Sequence, residues 1–294
     1  MKTGLLIVNE YIRSSKERFN ALYLDLEHAF KGRDIKLDRM SNGDALILIN
    51  EKIKPHYDFI LFWDKDINLA HHLENLGYRL FNNARAIEIA DDKAKTALAL
   101  ENKGIIMPKT IIAPFTFSNN PFTKADLGFV DSVVKELGLP LIVKEVHGSF
   151  GEQVYLAKSK EEVNKLILTK TPTQLLFQEY IASSSGRDVR IEVVGKKALG
   201  AVIRKSQNGD FRSNVLQGGV MEKISPDESF YKMAIDVCKI LDLDFAGVDI
   251  MFGKNNEPIF CEVNSNVHFR TFAKTTGIDL AKSLAIYIEN VLNN

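Results

Sequence analysis

Apolar and polar positions follow one rhythm in the first third of the chain and another after residue 141. Residues 5–8 are a short unbroken apolar run, which reads as a strand. From about Ser15, Phe19, Leu22, Leu26 and Phe30 recur at helical spacing, and Gly32 stops the helix. Residues 45–49 and 59–63 read as further strands. Asp66 to Leu76 reads as a helix closed by Gly77. Strand–helix alternation over residues 1–82 predicts a parallel, doubly wound layer.

Asp91 and Asp92 offer capping oxygens ahead of helix formers at 94–103, and Gly104 ends that helix. Residues 114–123 hold two prolines, two asparagines and a serine, and read as a loop. Beyond 141, short β-rich runs (141–146, 153–157, 174–181, 188–194, 198–204, 245–252, 258–264) are interrupted by helices near 159–169, 226–241 and 278–292. That mixture predicts α+β units with antiparallel sheets. The fold class is therefore α/β with α+β parts. Three units are expected, at 1–82, 83–183 and 184–294.

Composition narrows the function classes. The 294 residues are 45% hydrophobic and 26% charged, which excludes a disordered chain. Lys plus Arg and Asp plus Glu are 38 each, so no overall field draws the protein to nucleic acid or acidic membranes. Cys238 and Cys261 sit in apolar segments. Two cysteines make neither a disulfide framework nor a four-thiolate zinc site, so both read as buried thiols. Nothing approaches the ~18 apolar residues of a membrane span. The first ten residues have too short an apolar run for a signal peptide, so a cytoplasmic location is expected.

No G-x-x-x-x-G-K-[ST], G-x-G-x-x-G, G-x-S-x-G or H-E-x-x-H occurs, and His71-His72 has no third ligand nearby in sequence. Four stretches carry candidate chemistry. In the first, Lys144 ends an apolar strand before His147-Gly148-Ser149-Phe150-Gly151. Glycines let backbone N–H groups approach an anion and the lysine adds charge, which suits polyphosphate. The stretch also reads as a plain hairpin with an exposed lysine. In the second, the strand ending Gln178-Glu179-Tyr180-Ile181 runs into a turn and then Asp188. Such a hinge offers backbone groups to an adenine edge and an acid to ribose. It also reads as a strand with one exposed face.

In the third, Arg190, Arg204 and Arg212 fall in successive β-like segments, and converging guanidinium groups grip phosphate or carboxylate. Singly, each reads as a surface charge. The fourth is the sharpest. Asp249 lies in one apolar strand, and Glu262 and Asn264 lie in the next, joined by a Gly-Lys-Asn-Asn turn. Glu262 and Asn264 are i and i+2, so they share a face, and a hairpin brings Asp249 beside them. Buried strands rarely carry acids without a partner. Two carboxylates and an amide oxygen suit Mg²⁺; an acidic sheet surface is the bland reading.

In this order and at these separations, the four stretches resemble the ATP-grasp superfamily, and within it the RimK-type glutamate ligases. The resemblance spans about residues 84–292 and is weaker for the N-terminal layer. It implies an ATP-grasp fold behind a parallel α/β domain, with a central unit carrying a glycine-rich lid and a C-terminal unit carrying a metal site. It implies Lys93 and Lys144 as the two nucleotide-binding lysines, with Gly148, Ser149 and Gly151 over the phosphates. Gln178, Glu179, Tyr180 and Ile181 become the adenine hinge, and Asp188 the nucleotide-site acid. Arg212, Ser213 and Asn214 match the family's phosphate-side Arg-Ser-Asn. Arg190, Arg204 and Arg212 become the catalytic cations. Asp249, Glu262 and Asn264 become the ligands of two Mg²⁺ ions, with Mn²⁺ as a substitute.

The implied activity is ATP-dependent joining of a carboxylate to an amine through an acyl phosphate, releasing ADP and phosphate, with glutamate or another amino acid as one substrate. A non-catalytic ATP-binding regulator and a small-molecule kinase are the rival readings on this fold. The implied partners are small-molecule or peptide substrates and further copies of the chain, as a dimer or tetramer. One departure stands out. Where the family commonly has Ala-Ser-Pro-Gly after the metal asparagine, this chain has Ser265-Asn266-Val267-His268. Asn266, His268 and the loop at 9–16 are therefore expected to govern the choice of acceptor. Asp249→Asn and Glu262→Gln are expected to abolish turnover with the fold intact.

Overall fold

The structure is a computed structural model that describes residues 1–12, 16–149, 151–213 and 219–293. Its N-terminal sheet is fully parallel, in the order β2 (Ile35–Ser41), β1 (Lys2–Val8), β3 (Phe59–Trp63), β4 (Leu80–Phe81). Helix α1 (Lys16–Phe30) buries Leu22, Tyr23, Leu26 and Phe30, the face marked by the helical spacing. Helix α2 (Ile67–Asn75) starts at Asp66, whose side chain accepts from the Leu69 N–H, and Gly77 follows it at φ 89°. Gly4 is required by packing: a Cβ there would lie 2.2 Å from the ring of Phe59, its partner in register.

Residues 45–49 form no strand. Leu46, Leu48 and Ile49 are exposed, and the strand that pairs with β1 on the side away from β3 is β2. Its Lys36, Asp38 and Arg39 hide the apolar alternation, but charge is common on an edge strand, where it discourages further pairing.

Helices α3 (Ala84–Asp91) and α4 (Lys93–Leu100) follow. Asp92 caps α4 by accepting from Ala94 and Lys95 N–H groups at 2.9 and 3.0 Å. A second sheet, wholly antiparallel, orders β5 (Thr110–Ile112), β8 (Leu175–Glu179), β6 (Leu141–Glu145) and β7 (Val154–Ala157). Helices α5 (Val130–Leu137) and α6 (Lys160–Lys170) share its core. The third sheet, also antiparallel, orders β11 (Val220–Ile224), β10 (Lys197–Lys205), β9 (Arg187–Val194), β12 (Phe245–Phe252) and β13 (Pro258–Asn264). Helix α7 (Glu228–Ile240) covers one face of it. Helices α8 (Phe269–Thr276) and α9 (Leu280–Asn293) close the chain. The expected α+β change after residue 141 is what the sheets display.

The first and last parts of the chain share one core. Leu280, Leu284 and Ile288 of α9 pack with Leu22, Leu26 and Phe30 of α1, and Trp63 stacks on Phe245 at 4.8 Å between ring centroids. Consequently the carboxyl end of the parallel sheet faces the third sheet, and a cavity lies where they meet. Among the described residues no helix is long and apolar enough to cross a membrane.

Candidate active site

A cavity of about 560 Å³ is lined by all three sheets. The third sheet supplies its most charged wall, and strand register explains the layout. Arg190, Asp249 and Glu262 stand side by side on β9, β12 and β13; two residues on, Glu192, Gly247 and Asn264 form a second row. Residues at i and i+2 on one strand share a face, so both rows lie on the cavity side. The hairpin expected to bring Asp249 beside Glu262 is present.

Asp249 is 4% exposed, and both carboxylate oxygens are held by arginines. Arg190 donates through Nε and through Nη2, the latter at 2.8 Å, and Arg204 Nη2 lies 2.9 Å from Oδ2. Burial pushes the Asp249 carboxyl up, but the two guanidinium groups outweigh it and hold it below its usual range. Arg204 also grips Asp188 through Nε at 2.7 Å. Arg190 and Arg204 thus converge on carboxylates of their own sheet. Asp188 is committed to Arg204 rather than standing free.

Glu192, which the sequence reading did not single out, is 1% exposed. Its Oε1 lies 3.8 Å from Arg190 Nη1, and its Oε2 is buried with no hydrogen-bond partner among the described residues. Burial raises its carboxyl to about 7, and Arg190 offsets only part of that. The i, i+2, i+4 spacing of Asp188, Arg190 and Glu192 was the signal that could have found it.

On the opposite wall Lys144 is 7% exposed, and among the described residues no carboxylate lies within ion-pair distance of it. Lys93 does not line the cavity. Its Nζ donates to the Gly148 carbonyl at 3.2 Å, and its N–H donates to Val146. Ser149 and Gly151 line the cavity, whereas Gly148 does not. Arg212 Nη1 donates to the Gly151 carbonyl at 2.9 Å and pairs with Asp210, so it carries the glycine turn. Ser213 lines the cavity beside it; Asn214 lies outside the described residues.

Gln178, Glu179, Tyr180 and Ile181 form one edge. The Gln178 side chain donates to Thr110, and the Glu179 side chain accepts from the Lys109 N–H, so both are anchored to the adjoining β5 segment. Cys261 lines the cavity at the bulge between Phe260 and Glu262, and burial raises its thiol to about 11.

The parallel sheet closes the far end with Asn9, Arg18, Asp64 and Lys65, none of which the sequence reading named individually except as part of the loop at 9–16. Residues 13–15 of that loop lie outside the described residues. Asn9 Nδ2 donates to Asp64 at 2.9 Å, and Lys65 pairs with Asp91 and reaches Ser149 Oγ at 3.3 Å. Asn266 and His268 line the same end. His268 packs edge-on against Phe19, and burial together with Arg18 and Arg190 lowers its pKa to about 4, so it is neutral at physiological pH.

The donor set fits a divalent ion. Asp249 and Glu262 are cross-strand neighbours, and Asn264 follows on the same face. Two carboxylates and an amide oxygen leave positions for phosphate oxygens, the usual way a nucleotide-bound Mg²⁺ is held.

This architecture defines an ATP-grasp protein. An ATP-grasp RimK-domain protein from Sphaerobacter thermophilus superposes with a TM-score of 0.72 over 98% of this chain and 99% of its own, at 16% identity. The model of the RimK-like ATP-grasp domain matches residues 90–288, and the chain belongs to that family. It is an ATP-dependent ligase. Beta-citrylglutamate synthase B of Danio rerio is 33% identical over 96% of this chain and 70% of its own. A probable alpha-L-glutamate ligase from an Enterobacter species is 36% identical over 74% of this chain and 69% of its own. The regulator and kinase readings give way to the ligase.

Proposed function

We propose that this ligase joins a small-molecule or peptide carboxylate to the α-amine of L-glutamate, working as three units at 1–82, 83–183 and 184–294. The observation that carries the reading is one cavity with an Arg–Asp–Glu row on one wall, a buried lysine on the other, and a polar wall from the parallel sheet at its end. Glutamate as the amine is supported by the names of the zebrafish and Enterobacter relatives.

In this reading the Gln178–Ile181 edge takes adenine, and Lys144 with the Ser149–Gly151 turn covers the phosphates. Lys93 and Arg212 act by holding that turn through the Gly148 and Gly151 carbonyls. Asp249, Glu262 and Asn264 would hold Mg²⁺, as one or two ions, which when bound neutralises charge on the phosphates. Arg190 and Arg204 keep Asp249 ionised and fixed. Asn9, Arg18, Asn266 and His268 surround the acid and the amine. A substrate carboxylate oxygen bonds to the γ-phosphorus as the bond to ADP breaks. The amine nitrogen then bonds to the acyl carbon, phosphate leaves, and the amine proton passes to solvent. The protein's part is positioning and charge neutralisation.

Lys144→Ala is expected to weaken ATP binding by roughly 1.5–3 kcal/mol, the range of a lost charged hydrogen bond. Lys93→Ala should cost less, because its Nζ holds the turn rather than facing the cavity. Calorimetry with ATP distinguishes the two; unchanged affinity in Lys144→Ala counts against the phosphate site. The reaction class is tested by incubating the protein with ATP, Mg²⁺, L-glutamate and citrate, the acid in the zebrafish relative's name. One ADP and one phosphate per amide are expected, and hydroxylamine in place of glutamate should trap the acyl group as a hydroxamate. AMP and pyrophosphate in matching amounts would overturn the acyl-phosphate route.

A further inference from the structure

Among the described residues six carboxylates line the cavity, and five of them have a hydrogen-bond partner or a place in the proposed metal set. Asp188 is gripped by Arg204, and Asp249 by Arg190 and Arg204. Asp64 Oδ1 accepts from Asn9 and from the Lys65 N–H, while its Oδ2 is buried without a partner among the described residues; Glu179 accepts from the Lys109 N–H. Glu262 belongs to the proposed metal set. Glu192 remains. No hydrogen bond reaches it among the described residues; Arg190 stands 3.8 Å away, and both Arg190 and the more distant Arg204 are spent on Asp249. A carboxylate buried to this degree is costly unless a cation completes it. Burial, with the charge of Asp249, raises its carboxyl to about 7, and Arg190 and Arg204 offset only part of that.

Its place in the sheet says which cation. Asp188, Arg190 and Glu192 step along β9, and β13 runs parallel to it, since both are antiparallel to β12. Two residues span ~7 Å of strand. Relative to the Arg190–Asp249–Glu262 row, Asp188 lies toward the hinge edge, where Ser184 and Ser185 lead into β9. Glu192 lies one row further, toward Asn264, Asn266 and His268. The neighbours of Glu192 in register are Gly200 and Gly247, so no side chain crowds it from either adjacent strand. A Cβ on Gly247 would lie 2.9 Å from Glu192 Oε2, which places that oxygen over the bare glycine.

We propose that Glu192 is the binding residue for the amine substrate, its carboxylate receiving the ammonium of the incoming amino acid on the far side of the metal row from the nucleotide. The inference rests on the ligase reading above, with L-glutamate as the amine. It assigns amine recognition to a side chain of β9.

Glutarate differs from L-glutamate by lacking the α-amine, so the pair isolates this contact. Both are titrated calorimetrically into the full chain with Mg²⁺ and a non-hydrolysable ATP analogue. Wild type should bind L-glutamate roughly tenfold or more tightly than glutarate, the scale of one charge-assisted hydrogen bond. Glu192→Gln should bind the two alike, with glutarate affinity unchanged. Glu192→Asp, which keeps the charge on a shorter arm, should keep part of the preference. A preference that survives in Glu192→Gln overturns the assignment. So does equal loss of both ligands in that variant, which would mean Glu192 acts only by placing Arg190, and so does a wild type with no preference. A protein that releases no ADP with any acid and amine would sink the ligase reading instead, and the binding comparison still stands as a separate test.

Discussion

Glu262→Gln is expected to lower turnover by roughly a thousandfold while leaving stability near wild type; Asp249→Asn is expected to damage both. Removing one carboxylate from the proposed divalent-ion site takes away charge that nothing nearby replaces, and losses of ~10²–10³ follow from deleting a single electrostatic contact at a reacting phosphate or carbonyl. Glu262 is partly exposed and makes no hydrogen bond among the described residues, so an isosteric amide leaves its surroundings undisturbed. Asp249 differs. It sits between Arg190 and Arg204, both buried or nearly so, and is the counter-ion that keeps them together. The amide leaves two guanidinium groups facing each other, with Asp188 on Arg204 and Glu192 3.8 Å from Arg190 as the remaining carboxylates, and breaking a buried pair from one side costs about 3–5 kcal/mol.

The expectation from sequence that both variants spare the fold is therefore kept for Glu262 and revised for Asp249. ADP release measures the first effect and urea denaturation the second. Turnover of Glu262→Gln at the wild-type level in Mg²⁺ would remove the metal assignment. Wild-type stability in Asp249→Asn would show that the arginines find other partners.

What could be read in the sequence was whatever depends on neighbours close along the chain. The β12–β13 hairpin joins strands separated by five residues, so alternation alone put Asp249, Glu262 and Asn264 on one face. The glycine turn after Lys144 and the strand ending at Glu179 were equally local. What remained hidden depends on which strands lie side by side. β9 and β12 are neighbours although Arg190 and Asp249 are 59 residues apart, and only that adjacency turns two predicted phosphate grips into holders of Asp249. Glu192 shared a face with Arg190 by spacing, yet its isolation comes from Gly200 and Gly247 on two other strands. Residues 45–49 misled because an apolar run scores as a strand whether or not a sheet edge is available; the edge was taken by the charged β2. The far wall, with Arg18 and Asp64, exists because the parallel sheet packs on β12 and α9, which no local pattern encodes.

That packing has its own polar anchor, and Asn82→Ala is expected to cost roughly 3–5 kcal/mol of stability. Asn82 is 1% exposed at the end of β4. Its Nδ2 donates to the carbonyls of Phe245 and Ser265 at 2.9 and 3.3 Å, and its Oδ1 accepts from the Asp244 and Phe245 N–H groups at 2.7 and 3.1 Å. One amide thus fixes the start of β12, the turn that carries Asn266 and His268, and the parallel sheet. Truncation strands two backbone donors and two acceptors in the interior, at ~1–3 kcal/mol for each group left unsatisfied, less what water entering the gap restores. Asn82→Asp keeps the acceptor and loses the donor, so it should fall between wild type and Asn82→Ala in urea midpoint. The functional consequence is also directional. The hinge edge and Lys144 belong to the second sheet and do not touch Asn82, so ATP affinity should stay near wild type. In the proposed reading the acid and amine bind between the walls that Asn82 ties together, so their KM values should rise together in the surviving folded fraction. An Asn82→Ala protein with wild-type stability would mean that the Trp63–Phe245 stack and the α1–α9 core alone hold the layers in register.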